Sequence, residues 1–169
     1  LQPKLANRLQ HREAQFVLTG YLPDEAYVTT KLGRAVYRQG NFAEAHRLFQ
    51  RALSISQQIR RMFGDKAVTL RGEAKAVLDM SNLLHAQEDV RGSLELARHS
   101  LALLRTARHM DGDTPVALYH EGVALERVGD CLRDTGDLSE ALDVYRQGHA
   151  IIHRLRDFAT QTAGTLRDE

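Results

Sequence analysis

Apolar residues along this chain recur at spacings of three and four. Leu32 and Val36 form one such run, and Ala45, Leu48, Ala52, Ile55 and Ile59 form the next. That spacing places them on one face of a helix, and the period-two alternation of a strand is absent. The pattern also returns as a whole. Shifting the sequence by 48 positions superposes Gly33, Ser81 and Gly129, then Val36, Leu84 and Leu132, then Ala45, Ser93 and Ala141. Leu48, Leu96 and Val144 follow in register, as do Ala52, Ser100 and Gly148, and Ile55, Leu103 and Ile151. Small meets small and large apolar meets large. A fixed period of this length predicts an all-α solenoid in which each helix pair buries its apolar face by stacking on its neighbours.

The turns carry their own signals. GNFAEA at residues 40–45 returns as GDLSEA at 136–141, with EDVRGS at 88–93 between them. Gly40 supplies the positive φ that ends a helix, and Asn41 caps the next one. Glu44 is placed to complete a capping box, as Glu140 is after Asp137. The middle copy keeps Asp89 but has Gly92 in place of the glutamate, which predicts a helix start weaker by under about 1 kcal/mol. Gly64–Asp65 and Asp111–Gly112–Asp113–Thr114–Pro115 punctuate the junctions between repeats, with Pro115 suited to a first helical turn. First helices are therefore expected over about 65–87 and 114–135.

Residues 1–169 read as one repeat domain, divided into repeats at 24–64, 65–112 and 113–159. Residues 3–23 are expected to be a flanking helix and loop, because Gly20 and Pro23 argue for starting the first helix of repeat one at Asp24. Arg12 and Leu5 fall one period before Arg60 and Leu53, which reads 3–18 as a second helix of a preceding repeat. Residues 160–169 read as the start of a further helix or a cap. The chain opens on Leu1, and we expect it to be a piece of a longer protein.

The G-[ND]-[FL]-x-E-A turn, an aromatic residue four positions after its alanine (Phe49, Tyr145), and the pairs Leu32–Gly33 and Val128–Gly129 resemble the tetratricopeptide repeat family. Ala45, Ala52, Ala141 and Gly148 match the small residues of that family. The middle repeat departs at Ser81, Ser93, Ala97 and Ser100, all of which are still small. The family's usual period is about 34 residues, so a period of 48 implies helices longer by about two turns each, as in long-helix arrays of bacterial multidomain proteins. The resemblance implies a right-handed superhelix of antiparallel helix pairs whose first helices line a concave groove.

Composition narrows the functional classes. Hydrophobic residues make up 43% and charged residues 27% of the chain, which suits a folded domain rather than a disordered one. Lys and Arg total 23 against 22 Asp and Glu, so no net field favours nucleic acid or an anionic membrane. No apolar run reaches the roughly 18 residues that span a bilayer. A single cysteine, Cys131, rules out an intrachain disulfide framework and suits the cytosol.

On the first helices, the stripe beside the packing face is expected to line the groove. It comprises Tyr27, Thr30, Arg34 and Tyr37, then Lys75, Leu78, Asn82 and His85, then Val123, Glu126, Asp130 and Arg133. Such a lining suits an extended peptide or a docked helix, with Tyr27, Arg34 and Tyr37 as anchors. The lysine and asparagine clamp with which some relatives hold acidic C-termini is not expected: Arg34 stands where an asparagine is wanted, and Glu126 and Asp130 would repel carboxylates.

His149 and His153 share a helical face but lack a third metal ligand, and read as surface or packing histidines. Cys131 reads as a half-buried structural residue. Arg60, Arg108 and Arg156 end the second helices, where a cation complements the helix dipole. No phosphate loop or nucleophile elbow occurs, so neither a cofactor nor catalysis is expected. The leading expectation is a scaffold that binds a protein or peptide. A ligand-responsive sensor controlling an attached effector, and a module that self-assembles through its terminal repeats, are the alternatives.

Overall fold

The computed structural model describes the backbone of residues 2–165 and the side chains of residues 20–158 and 160. Among these residues every regular element is an α-helix: α1 (Gln2–Arg38), α2 (Phe42–Phe63), α3 (Ala67–Ala86), α4 (Val90–Asp111), α5 (Pro115–Thr135) and α6 (Leu138–Thr165). Consecutive helices pack as pairs α1·α2, α3·α4 and α5·α6, and each pair packs on the next through α2·α3 and α4·α5. This is an all-α solenoid, as the 48-residue period implies.

Two kinds of turn alternate. Gly64 and Gly112 end α2 and α4 with φ of 77° and 76°, each donating its N–H to the arginine four residues back at 2.8 Å. Within repeats, Gly40 and Gly136 have φ of 79° and 91°. Their equivalent in the middle repeat is Glu88, which takes φ 65° with a side chain that disfavours it.

The capping boxes expected after these turns do not form. Asn41 and Asp89 do cap their helices, accepting from the N–H groups of Glu44 and Gly92 at 3.2 and 2.9 Å. The reciprocal partner is not needed, because the N–H groups of Asn41, Asp89 and Asp137 already close back onto the Val36, Leu84 and Leu132 carbonyls. Glu44 and Glu140 pair instead with Arg47 and Arg98. The weak point of the middle repeat is therefore the backbone at Glu88 rather than the missing glutamate at Gly92.

Helix ends also differ from expectation at the two termini. Helix α1 runs through Gly20 and Pro23 instead of starting at Asp24. A proline removes one backbone hydrogen bond, but the segment around it is held by packing: Leu22 is buried, and Arg51 of α2 binds the Glu25 carboxylate. Helix α6 likewise continues to Thr165 rather than yielding to a new element at residue 160, and residues 166–169 lie outside the described part.

Close approach within each pair follows from matched volumes. A Cβ on Gly33 would lie 2.6 Å from Phe49 Cε1, and one on Gly129 would lie 2.5 Å from Tyr145 Cε1. The middle repeat solves the same contact the other way, with Ser81 facing a helix that carries Ala97 where the others carry an aromatic ring. Its buried hydroxyls are satisfied: Ser81 donates to the Ser93 carbonyl at 2.8 Å, Ser93 Oγ contacts Cys131 Sγ at 3.2 Å, and Ser100 donates to the Ala74 carbonyl at 2.8 Å. Cys131 is completely buried rather than half-buried, and burial pushes its thiol pKa up.

Repeated ion pairs lock the junctions between repeats. Arg60 lies 2.7 Å from Asp65 and 3.0 Å from the buried Glu73. One period on, Arg108 lies 3.4 Å from Asp113 and 2.7 Å from the buried Glu121, the latter an ionic contact without hydrogen-bond alignment. Arg105 donates to the other Glu121 oxygen at 3.2 Å. These arginines thus do more than complement a helix dipole: they tie one repeat to the first helix of the next.

Candidate binding groove

The first helices α1, α3 and α5 carry the side chains of a cavity of about 440 Å³, floored by Phe49, Ser100 and Leu104 of the second helices. Arg34, Tyr37 and Arg38 come from α1, Lys75, Leu78, Asp79 and Asn82 from α3, and Tyr119, His120 and Val123 from α5. Three successive first helices can meet here because the small residues beneath them let the pairs stack closely.

At its centre Arg34 grips Asp79 through two hydrogen bonds, Nε at 2.9 Å and Nη2 at 3.1 Å. Asp79 is buried, and desolvation raises its pKa against the opposing pull of Arg34 and Lys75. Across the cavity, burial and then the charges of Lys75, Arg71 and Arg34 depress the pKa of His120. A neutral imidazole there is the form that suits its surroundings. Arg38 and Lys75 have no ion-pair partner among the described residues, so the lining carries uncompensated positive charge beside apolar Leu78, Tyr119 and Val123.

A second cavity of about 390 Å³ opens between the start of α3, α1 and the end of α2. Pro23, Ala26, Tyr27 and Thr30 line it on one side, with Ile59, Phe63, Val68 and Gly72 opposite. Lys75 borders both cavities and reaches over the Tyr27 ring, 5.9 Å from its centroid, while Lys31 approaches the same ring at 5.3 Å.

The expected groove residues divide along these lines. Arg34, Tyr37, Lys75, Leu78, Asn82 and Val123 border the first cavity, and Tyr27, Thr30 and Lys75 the second. Thr30 is buried, its hydroxyl returned to the Ala26 carbonyl at 2.8 Å, and Tyr37 leans on Phe42 with ring centroids 5.7 Å apart. The remaining four lie outside both cavities. His85 binds Asp134 at 2.8 Å, Asp130 accepts from Tyr145 at 2.8 Å and pairs with Arg133, and Glu126 is exposed. Asp79, His120, Tyr119 and Arg38 are cavity residues that the stripe did not include. His149 and His153 are exposed neighbours with Nε2 atoms 3.2 Å apart. Among the described residues no group of three His, Cys, Asp or Glu could hold a metal ion, and no helix is long and apolar enough to cross a membrane.

Residues 26–59, the end of α1 and most of α2, match the family model described as tetratricopeptide repeat. That helix pair is similar to a tetratricopeptide repeat, and the 48-residue register repeats its pattern along the chain. Among solved structures the chain resembles the N-terminal domain of stress-induced protein-1 (STI-1) from C. elegans. The TM-score is 0.52 at 15% identity, over 81% of this chain and 96% of that one. At that identity the likeness concerns the fold. No curated protein sequence matches the array. The cavity is lined by equivalent helices, α1, α3 and α5, of successive repeats.

Proposed function

We propose that this array is a non-catalytic scaffold whose α1, α3 and α5 groove binds an extended polypeptide segment carrying an acidic residue beside an apolar one. Tetratricopeptide repeats generally mediate protein–protein interaction. The observation that carries the finer reading is the 440 Å³ cavity, in which Arg38 and Lys75, cations without an ion-pair partner among the described residues, flank apolar Leu78, Tyr119 and Val123. A carboxylate set between the cations gains charge-assisted hydrogen bonds, while the neighbouring side chain fills the apolar part. Glu126 and Asp130 lie away from this cavity, so the repulsion they would exert on carboxylates does not govern it.

The test is selection of binding peptides from a random displayed library, followed by fluorescence-anisotropy titration. Selected peptides should share an acidic–apolar pair, and the double variant Arg38→Glu/Lys75→Glu should bind at least about tenfold more weakly, which corresponds to about 1.4 kcal/mol. Peptides without acidic residues, or affinity unchanged in the variant, would reject the reading.

A further inference from the structure

The second cavity, of about 390 Å³ between α1, the end of α2 and the start of α3, shares only Lys75 with the first. The repeat register shows how the sequence opens it. Thr30, Ser56 and Gly72 line it where the next junction carries the larger Leu78, Leu104 and His120. A Cβ on Gly72 would meet nothing within 4 Å, so the space in front of it is clear. Ile59 and Phe63 stand where the next junction has Ala107 and Asp111, which makes the opposite wall apolar. The volume lies near the lower end of the roughly 300–1,000 Å³ of small-molecule pockets.

The polar groups of this cavity are few, and most are already used. Thr30 donates its hydroxyl to the Ala26 carbonyl, and Thr69 donates to the carbonyls of Gly64 and Lys66. Ser56 differs: it is only 7% exposed, and its hydroxyl has no hydrogen-bond partner among the described residues. A buried hydroxyl left unpaired costs free energy that a ligand oxygen inside the cavity recovers. At the mouth, the ammonium groups of Lys31 and Lys75 lie 5.3 and 5.9 Å from the centroid of the exposed Tyr27 ring. Neither lysine has an ion-pair partner among the described residues. The site therefore offers a cationic mouth, an apolar body and one hydrogen-bonding point on its floor.

We propose that this cavity binds a medium-chain hydroxy fatty acid. The carboxylate sits at Lys31 and Lys75 beside Tyr27, the chain runs against Ala26, Ile59 and Phe63, and the hydroxyl pairs with Ser56. Charge complementarity selects the anionic end, and the enclosed volume selects a medium rather than a long chain.

The experiment is isothermal titration calorimetry of the whole chain with ω-hydroxydecanoate, decanoate and decanediol. The hydroxy acid should bind saturably at a single site, decanoate roughly fivefold more weakly for want of the Ser56 hydrogen bond, and decanediol at least about tenfold more weakly for want of the carboxylate. Ser56→Ala should abolish the preference for the hydroxy acid over decanoate, and Lys31→Gln/Lys75→Gln should weaken it at least about tenfold. Gly72→Leu fills the open space and should remove fatty-acid binding altogether. Gly72 does not border the first cavity, so that variant should still bind the acidic–apolar peptide as the wild type does. Circular dichroism of each variant establishes that it folds. A wild type without saturable binding, decanediol bound as tightly as the hydroxy acid, or a Gly72→Leu protein that binds like the wild type overturns the proposal. So does a selected peptide that displaces the hydroxy acid and itself loses affinity in Gly72→Leu, which would assign the cavity to a peptide side chain.

Discussion

Gly33 and Phe49 make a sharp test of how the helix pairs are packed. A methyl group on residue 33 would lie 2.6 and 2.8 Å from two carbons of the Phe49 ring and 3.3 Å from Leu48 Cβ. Carbon atoms prefer roughly 3.5–4.0 Å, so the ring must move by about 1 Å in a site where Phe49 is buried. Overpacking of this kind costs about 1–3 kcal/mol, against which alanine gains about 1 kcal/mol over glycine in helix propensity. The net expectation for Gly33→Ala is a loss of about 0–2 kcal/mol. Phe49→Ala, which empties the space, should cost about 3 kcal/mol or more. In that background the two ring contacts of the added methyl group are gone, and the propensity gain prevails: Gly33→Ala becomes neutral or stabilising by up to about 1 kcal/mol. Urea denaturation of the four proteins followed by circular dichroism gives the coupling energy, expected at about 2 kcal/mol. Equal effects of Gly33→Ala with and without the ring would refute the packing argument.

Glu88→Gly should stabilise the protein by about 0.5–1 kcal/mol by removing a side chain from φ 65°, visible as a rise in Tm of a few degrees; an unchanged Tm would mean the turn is not strained. Glu121→Ala leaves Arg108 and Arg105 without their shared buried partner and should cost about 2–3 kcal/mol, whereas Asp113→Ala at the exposed side of the same cluster should cost under about 1 kcal/mol in the same denaturation assay. His120 has a folded pKa below its ordinary 6.5, so its contribution to stability is fully present above that pH and is lost as pH falls through the depressed value. Tm measured against pH should therefore fall on the acid side of 6.5 less steeply for His120→Gln than for the wild type. Asp79 has the opposite sign: its raised folded pKa favours the protonated form, so stability is lost as pH rises through that value, and Asp79→Asn should flatten the change.

The solenoid was legible in the sequence because its evidence is local and repeated. Alanine, serine and glycine recur where helices must approach closely, and Gly40, Gly64, Gly112 and Gly136 mark turns that do take positive φ. The covarying pairs Gly33 with Phe49, Ser81 with Ala97 and Gly129 with Tyr145 are also visible there, although their meaning as matched volumes needs the contact distances. The capping boxes fail because a tight turn uses the cap N–H before any glutamate can reach it. Pro23 does not break α1 because the burial of Leu22 and the pairing of Glu25 with Arg51 decide the helix, and neither is a local property.

The stripe recovers Arg34, Tyr37 and Lys75 at a cavity but omits Asp79 and His120, whose partners lie 45 residues away in sequence or on a different repeat. A signal for Asp79 does exist: it is an acid at a place where the neighbouring repeats carry Lys31 and Arg127. An out-of-register charge of that kind marks a position where the repeats cease to be equivalent.

The measurement that bears most directly on the groove as the binding surface is amide NMR chemical-shift mapping with a selected acidic–apolar peptide. The account predicts that the perturbed amides cluster on α1, α3 and α5 around Tyr37, Lys75, Leu78 and His120, and that the perturbations vanish in Arg38→Glu/Lys75→Glu. Perturbations centred on the outward faces of α2, α4 or α6, with the first helices silent, would contradict it.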